Sequence, residues 1–227
     1  MDRTKWPGRA LLPVAVPGIK YIVGAACVTG VLFYLGWTVA AVVAGAVTLF
    51  VTWFFRDPDR QVPDGDHLMV SPADGRVIRV DQGVHTMYLT GPCQKVSIFM
   101  NVFNVHVNRI PLDGVVEKEV YTPGRFINAS FDKASVYNER SALTIRTPEQ
   151  LRFVVVQIAG LVARRIVNCA AAGTKVHRGE RYGMIQFGSR LDLYLPMTCR
   201  VRVKKGDKTR AGMTVIGEMP SISAETE

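Results

Sequence analysis

The chain has 227 residues, 48% of them hydrophobic, and a formal charge of +9 at pH 7. That length suffices for one sizeable core with an anchor beside it. The basic balance suits an anionic lipid surface, and no basic-aromatic stripe or recognition motif accompanies it, so nucleic acid is not an expected partner. The cysteines (Cys27, Cys93, Cys169 and Cys199) are widely spaced with no CxxC pair, which argues against a zinc site or disulfide framework and fits a reducing compartment.

Residues 1–18 form a basic N-terminal segment. From Ile22 to Phe55 the chain holds no Asp, Glu, Lys, Arg or His. One span needs roughly 20 apolar residues, so this run is too long for one ordinary span and short for two full ones. Gly36-Trp37 falls near its centre. The reading is a transmembrane helical hairpin over 19–55, with helices near 19–35 and 38–55. Arg3, Lys5, Arg9 and Lys20 precede it, and Arg56 and Arg60 follow. Cytoplasmic flanks favour Lys and Arg, so both ends, and the domain that follows, are expected on the cytoplasmic face of the cell membrane.

Arg56-Asp57-Pro58-Asp59-Arg60 and Pro63-Asp64-Gly65-Asp66 read as a linker over 56–68. Residues 69–227 then carry short strand-like segments at regular spacing: Gly75–Asp81, Lys95–Asn101, Val115–Tyr121, Ala142–Arg146, Leu151–Ile158, Val176, Met184–Phe187, Leu191–Leu195, Arg200–Val203 and Met213–Gly217. No long helical pattern follows residue 60. The expected fold is mostly β, a compact β-sandwich or barrel-like domain behind the anchor. A faint internal similarity joins Lys175–Glu180 to Arg202–Asp207, each a valine strand meeting a basic-Gly-acidic turn.

Phe187-Gly188-Ser189-Arg190 lies between two apolar segments. A Gly-Ser pair alone marks a turn. Its company is Ser71-Pro72-Ala73-Asp74-Gly75 and Asn104-Val105-His106-Val107-Asn108-Arg109-Ile110-Pro111. Ser189, His106 and Asp74 could supply a nucleophile, a base and an orienting carboxylate. No G-x-S-x-G elbow surrounds Ser189.

These segments, with Phe54-Phe55-Arg56-Asp57-Pro58, Asp113-Gly114, Asn138-Glu139-Arg140-Ser141, Gln157-Ile158-Ala159-Gly160, Ala163–Val167 and Arg178–Arg190, in this order, resemble the short form of phosphatidylserine decarboxylase. The resemblance runs from the apolar anchor nearly to the C-terminus. It implies a proenzyme that cuts itself between Gly188 and Ser189 into a β chain, 1–188, and an α chain, 189–227, which stay tightly associated. Ser189 would become a covalent pyruvoyl cofactor, with no metal. Its ketone would form a Schiff base with the serine amine of the phospholipid substrate and act as the electron sink for decarboxylation. Asp74 matches the family's self-cleavage aspartate. His106 matches the first histidine of a His-x-x-His-x-Pro segment, a base in maturation or a proton donor in decarboxylation. Arg109 stands where long-form members have the second histidine. Either His106 takes both jobs, or Arg109 stabilises an oxyanion while another group removes the proton. Arg190, Arg164, Arg165 and Arg109 are candidates for the head group, because guanidinium forks suit phosphate and carboxylate. A homodimer is the expected assembly on base rate alone.

Two other readings differ in observable ways. A membrane-anchored serine hydrolase using Ser189, His106 and Asp74 would remain one chain and react with a fluorophosphonate. A non-enzymatic membrane scaffold would remain uncut and tolerate changes at Ser189.

Overall fold

The computed structural model describes residues 13–127, 129, 134–160, 166–186 and 189–220. They separate into an N-terminal unit ending at Asp59 and a larger unit from Arg60 onward.

In the N-terminal unit a 3-10 turn at Val16–Gly18 leads into α1 (Ile19–Tyr34), and α2 (Thr38–Phe54) follows after a short turn. Gly36 takes φ 75° in that turn, a conformation glycine adopts without a Cβ penalty. The two helices touch through Thr29 and Thr48, whose hydroxyls lie 3.0 Å apart. Most other side chains on both helices are apolar and exposed, among them Val28, Phe33, Val39, Val42 and Leu49. Val14 bridges to Arg56, and Phe55 stacks on Tyr21 with ring centroids 5.5 Å apart. The Phe-Phe-Arg-Asp-Pro motif therefore closes the base of this unit.

The larger unit is mostly β, as the turn-punctuated pattern predicts. In chain order its strands are β1 (Leu68–Val70), β2 (Gly75–Thr86), β3 (Leu89–Met100), β4 (Val107–Arg109), β5 (Gly114–Thr122), β6 (Arg140–Arg146), β7 (Arg152–Ile158), β8 (Ile166–Asn168), β9 (Lys175–Val176), β10 (Arg181–Ile185), β11 (Ser189–Pro196), β12 (Arg200–Val201), β13 (Lys208–Thr209) and β14 (Val215–Glu218). A four-residue helix, α3 (Ala134–Tyr137), precedes β6. The strands form a curled eight-stranded sheet, β13-β2-β3-β11-β7-β6-β5-β9, and two three-stranded sheets, β1-β14-β12 and β4-β10-β8. One face of the large sheet carries Val77, Val96, Ile98, Met100, Leu143, Ile145, Phe153, Val155, Leu191, Leu193 and Leu195 into the main core. The other carries Ala142, Val154, Val156 and Ile158 into a smaller cluster.

The large sheet reads as two halves related to each other. The order β13-β2-β3-β11 is matched by β9-β5-β6-β7, and the two halves meet where β11 pairs with β7. The backbone bonds repeat as well. Gly212 donates to the Ser71 carbonyl and Gly179 to the Ile110 carbonyl, each at 2.8 Å. Ala211 donates to Asp74 Oδ1 at 2.7 Å, and Arg178 to Asp113 Oδ1 at 2.9 Å. Met219 donates to the His67 carbonyl, and Ile185 to the His106 carbonyl. Gly75 and Gly114 occupy the same tight place: a Cβ would stand 2.2 Å from the Phe99 carbonyl oxygen in one half and 2.6 Å from that of Arg146 in the other. The sequence carries this repeat as His-x4-Pro-x-Asp-Gly, beginning at His67 and again at His106.

Three expectations change. The turns at 177–180 and 204–207 do share a form, with Gly179 and Gly206 at positive φ and Glu180 and Asp207 accepting the N–H three residues earlier. The repeat of the fold, however, aligns Gly173–Gly179 with Gly206–Gly212. Residues 60–68, expected as linker, are bound to the domain: Arg178 donates to the Gly65 and Leu68 carbonyls, and Val62 packs on Gly179. Finally β1, β4, β8 and β13 are strands that local alternation did not suggest. Each has two or three residues, too few to show a period.

Candidate active site

Ser189 is the first residue of β11 and pairs with Met100, the last of β3. Paired residues in an antiparallel ladder face the same way, so Ser189, Met100, Ile98 and Leu191 all point into the main core. Ser189 is fully buried, and its Oγ has no hydrogen-bond partner among the described residues. Phe187 and Gly188 lie outside the described residues, so the expected scissile bond is located by its second residue alone.

His106 is brought to the same face from another sheet. β4 pairs with β10, Asn108 opposite Gly183 and Val107 opposite Met184, and the Ile185 N–H to the His106 carbonyl extends that ladder by one residue. Alternation puts His106 in phase with Asn108. Asn108 contacts the Met100 sulfur at 3.7 Å and accepts from Gln157 Nε2 at 2.9 Å. Gln157 pairs with Leu191 across β7 and β11, so it too faces the Ser189 side. His106, Asn108 and Gln157 are each at most 1% exposed. Gly183 makes this possible, because a Cβ there would lie 2.9 Å from Gln157 Nε2 and 2.3 Å from the Val167 carbonyl oxygen. Asn108 and Gln157 belong to segments singled out by sequence, but neither carried a role. The missing signal is the ladder register, which a linear motif does not contain. Tyr182 adds a buried hydroxyl with no partner among the described residues, and burial pushes its ionisation far above the ordinary phenol range.

Asp74 sits just before β2. Its carboxylate accepts from Arg60 Nη2 at 3.0 Å and from the Ala211 N–H at 2.7 Å. Around it, Ser71 Oγ and Thr209 Oγ1 both donate to the Ala73 carbonyl. Arg76 pairs with Phe99, and Phe99 with Arg190. Asp74 is therefore two strand spacings from Ser189, about 10 Å between backbones. The structure brings it to the end of the sheet where Ser189 lies, without a direct bond between them.

The arginines separate from this group. Arg190 points to the opposite face of β11, where it is fully buried and bonds Asp192 at 2.6 and 3.0 Å and Ser97 Oγ at 3.1 Å. Lys95 approaches the same carboxylate at 3.3 Å. A guanidinium so committed holds the sheet together, and the head-group role expected for Arg190 is not what its surroundings describe. Arg109 is out of phase with Asn108; its Nη1 donates to the Gly179 carbonyl, its Cδ lies against Gly212, and its backbone N–H donates to the Pro72 carbonyl. It braces the turns beside Asp74. Arg164 and Arg165 lie outside the described residues. Asn138 is another brace: its amide bonds the Ile127 and Ala159 carbonyls at 2.7 Å each. Among the described residues no group of three His, Cys, Asp or Glu side chains could hold a metal ion. The two cavities lined by His67 and Met219, one of about 460 Å³, do not include Ser189 or His106.

Residues 47–217 match the sequence model of a family described as Phosphatidylserine decarboxylase. A phosphatidylserine decarboxylase proenzyme of Syntrophus aciditrophicus is 49% identical over 205 residues, covering 90% of this chain and 96% of that protein. One from Geotalea daltonii is 44% identical over 206 residues, 91% and 96%. One from Ralstonia pickettii is 51% identical over 173 residues, 76% and 80%.

Proposed function

The chain belongs to the phosphatidylserine decarboxylase family, and we propose that it converts phosphatidylserine to phosphatidylethanolamine with a pyruvoyl group made from its own Ser189. The observation that carries this reading is the Ser189 hydroxyl, fully buried, without a partner among the described residues, and first in a strand at the centre of the sheet.

In maturation Ser189 Oγ attacks the Gly188 carbonyl carbon. The C–O bond forms, the C–N bond breaks, and the nitrogen of residue 189 takes up a proton, leaving an ester. Loss of the Cα proton of residue 189 then expels the Gly188 carboxylate. The resulting dehydroalanine takes up water and releases ammonia, which leaves the pyruvoyl group at the head of the α chain, 189–227. His106, buried and in phase with Asn108 on the Ser189 side, is the base for the hydroxyl proton. Arg109, turned toward the Gly179 and Gly212 turns, favours the alternative in which His106 serves both stages. Asp74, at the same end of the sheet and held by Arg60 and the Ala211 N–H, assists self-cleavage in this reading.

The residues present fit such a group: it would replace the serine's own atoms, on the face shared by Met100, Asn108 and Gln157. Once formed, the pyruvoyl supplies the carbonyl electron sink for loss of carbon dioxide. His106 returns a proton to the carbon that has lost its carboxylate.

The helix Val16–Tyr34 is long and apolar enough to cross a membrane, with a mean hydropathy of 1.7. With α2 it forms, in this reading, a hairpin that brings the catalytic unit to the cytoplasmic face, where its substrate lies. At 17 residues α2 spans about 26 Å, slightly under the hydrocarbon thickness.

Purified wild-type protein run on a denaturing gel should give two bands, with a blocked N-terminus and pyruvoyl mass on the smaller. Ser189→Ala should give one. A wild-type chain that stays at 25.1 kDa and still forms phosphatidylethanolamine overturns the mechanism.

A further inference from the structure

Gln157 lies in a segment that carries the family resemblance, but its buried carboxamide has no part in the proton transfers above. It is 1% exposed. Its Nε2 donates to Asn108 Oδ1 at 2.9 Å and to the Val167 carbonyl at 3.5 Å. The Val167 carbonyl can only accept, which sets the amide with nitrogen toward β8 and oxygen away from it. That oxygen has no partner among the described residues. An orphaned buried acceptor costs roughly 1–3 kcal/mol, so a folded chain retains one where something else completes it.

One unfilled donor is on the adjoining strand. Gln157 lies opposite Leu191, so Ser189 is its diagonal neighbour on the same face, about 7–8 Å away between backbones. A glutamine side chain is long enough for that gap, and the two groups are not bonded in this conformation; a change of rotamer has to join them. Among the described residues Ser189 has an O–H with no acceptor, and Gln157 a C=O with no donor. Asn108 fixes the glutamine, and its own Nδ2 rests on Met100, the residue directly paired with Ser189. In the other half of the fold the partner of Ile145 in the ladder is Phe153, as Leu191 is the partner of Ile98. Ser189 thus corresponds to Leu151, which carries no hydroxyl.

We propose that Gln157, held by Asn108, is a positioning residue for self-cleavage: its carboxamide oxygen accepts the Ser189 hydroxyl and fixes the rotamer of that hydroxyl for attack. The inference rests on the reading that Ser189 is the nucleophile of maturation. Gln157 takes no proton. It fixes the rotamer from which the hydroxyl reacts, and His106 removes the proton as attack proceeds.

The test follows conversion of freshly translated full-length precursor to two chains by gel over time, across pH 5.5–9, for wild type, Gln157→Met, Gln157→Glu and Asn108→Leu. Gln157→Met keeps the volume and removes the acceptor, and should slow conversion roughly 10- to 100-fold. Gln157→Glu reproduces the amide only while protonated, its O–H donating toward Asn108 and its C=O left to accept, and loses that donor on ionisation. Relative to wild type its conversion should therefore fall as pH rises, along a titration the wild type lacks. Asn108→Leu should slow conversion by less than Gln157→Met. Added hydroxylamine, which cleaves an ester at residue 189, should speed scission of wild type and not of Gln157→Met. Thermal unfolding of each change in a Ser189→Ala background reports fold separately. If Gln157→Met is too unstable to fold, the pH profile of Gln157→Glu decides. Conversion of Gln157→Met at the wild-type rate, or a Gln157→Glu profile parallel to wild type, overturns the inference while leaving Ser189 as nucleophile. A wild-type precursor that never divides at Ser189 overturns the functional reading itself.

Discussion

Asp74 has a twin, and the twin makes its role measurable. Asp74 and Asp113 occupy matching places, each accepting a backbone N–H from the turn after a short strand. They differ in what surrounds them. Asp74 also holds Arg60, in a pair whose side chains are 12% and 10% exposed, whereas the Asp113 side chain is 52% exposed beside His177. Asp74→Asn keeps an oxygen for Ala211 and loses the charged partner. With hydrogen bonds to charged groups worth roughly 1.5–3 kcal/mol, the expected loss of stability is about 2 kcal/mol. Asp113→Asn should cost about 1 kcal/mol or less, since exposed pairs contribute little. Urea unfolding in a Ser189→Ala background measures both without interference from cleavage. In the Ser189 background, Asp74→Asn should slow conversion to two chains by roughly 100-fold or more, the scale of a lost acid-base helper, and Asp113→Asn should convert at the wild-type rate. If Asp74→Asn shows the stability loss yet matures normally, the carboxylate is only a turn brace, as Asp113 is, and its proposed part in cleavage is refuted.

Arg190→Met should destabilise the domain by about 3 kcal/mol, because it leaves Asp192 buried with Lys95 alone; a folded variant with full stability and a raised KM would instead return Arg190 to the head group. Glu117 is held below the usual carboxylate range, chiefly by the hydrogen bond from Arg152, with Arg146 adding to it. A lowered folded-state value means the contribution is complete above the unfolded value of about 4.3 and fades as pH falls through the folded one. Glu117→Gln should therefore cost up to about 1 kcal/mol at pH 7 and nearly nothing in acid, as read by urea unfolding at both pH values; equal losses at both would exclude the ion pairs as the cause.

The parts of this fold with a period of their own were legible. The two helices fall within a residue of the stretches expected from the apolar run and its Gly-Trp break. The long strands of the sheet emerge from alternating segments, although β2 and β3 run on through Gly83, Gly91 and Pro92, where ladder bonds override weak local preference. What was not legible is pairing. His106 and Ser189 face one core because β4 joins β10 while β11 joins β3, and no local pattern states either register. For the same reason Arg190 looked available: the residue beside Ser189 is, in a strand, on the other face. The duplicated His-x4-Pro-x-Asp-Gly was present in the letters. It separates into two halves only when its hydrogen bonds are seen to repeat.

That duplication also sets what the proposed cut would do. A break before Ser189 falls at the first residue of β11 and, apart from any bond of the residue-189 nitrogen that leaves as ammonia, keeps the ladder of that strand in place. The α chain would then hold β11 at the centre of the sheet, bonded on one side along Ser189–Pro196 to β3 and on the other along Arg190–Tyr194 to β7. It would also supply β13 to the sheet edge and β14 to β1. Leu191, Leu193, Leu195 and Ile216 are fully buried; at roughly 2 kcal/mol each, they contribute about 8 kcal/mol of apolar contact with the rest of the fold, apart from the hydrogen bonds. The two chains should therefore elute together in size-exclusion chromatography in detergent without denaturant, and separate only over the urea range in which the sheet itself unfolds. Loss of the small chain under native dilution, with the β chain still folded, would show that β11 is not held as the register requires.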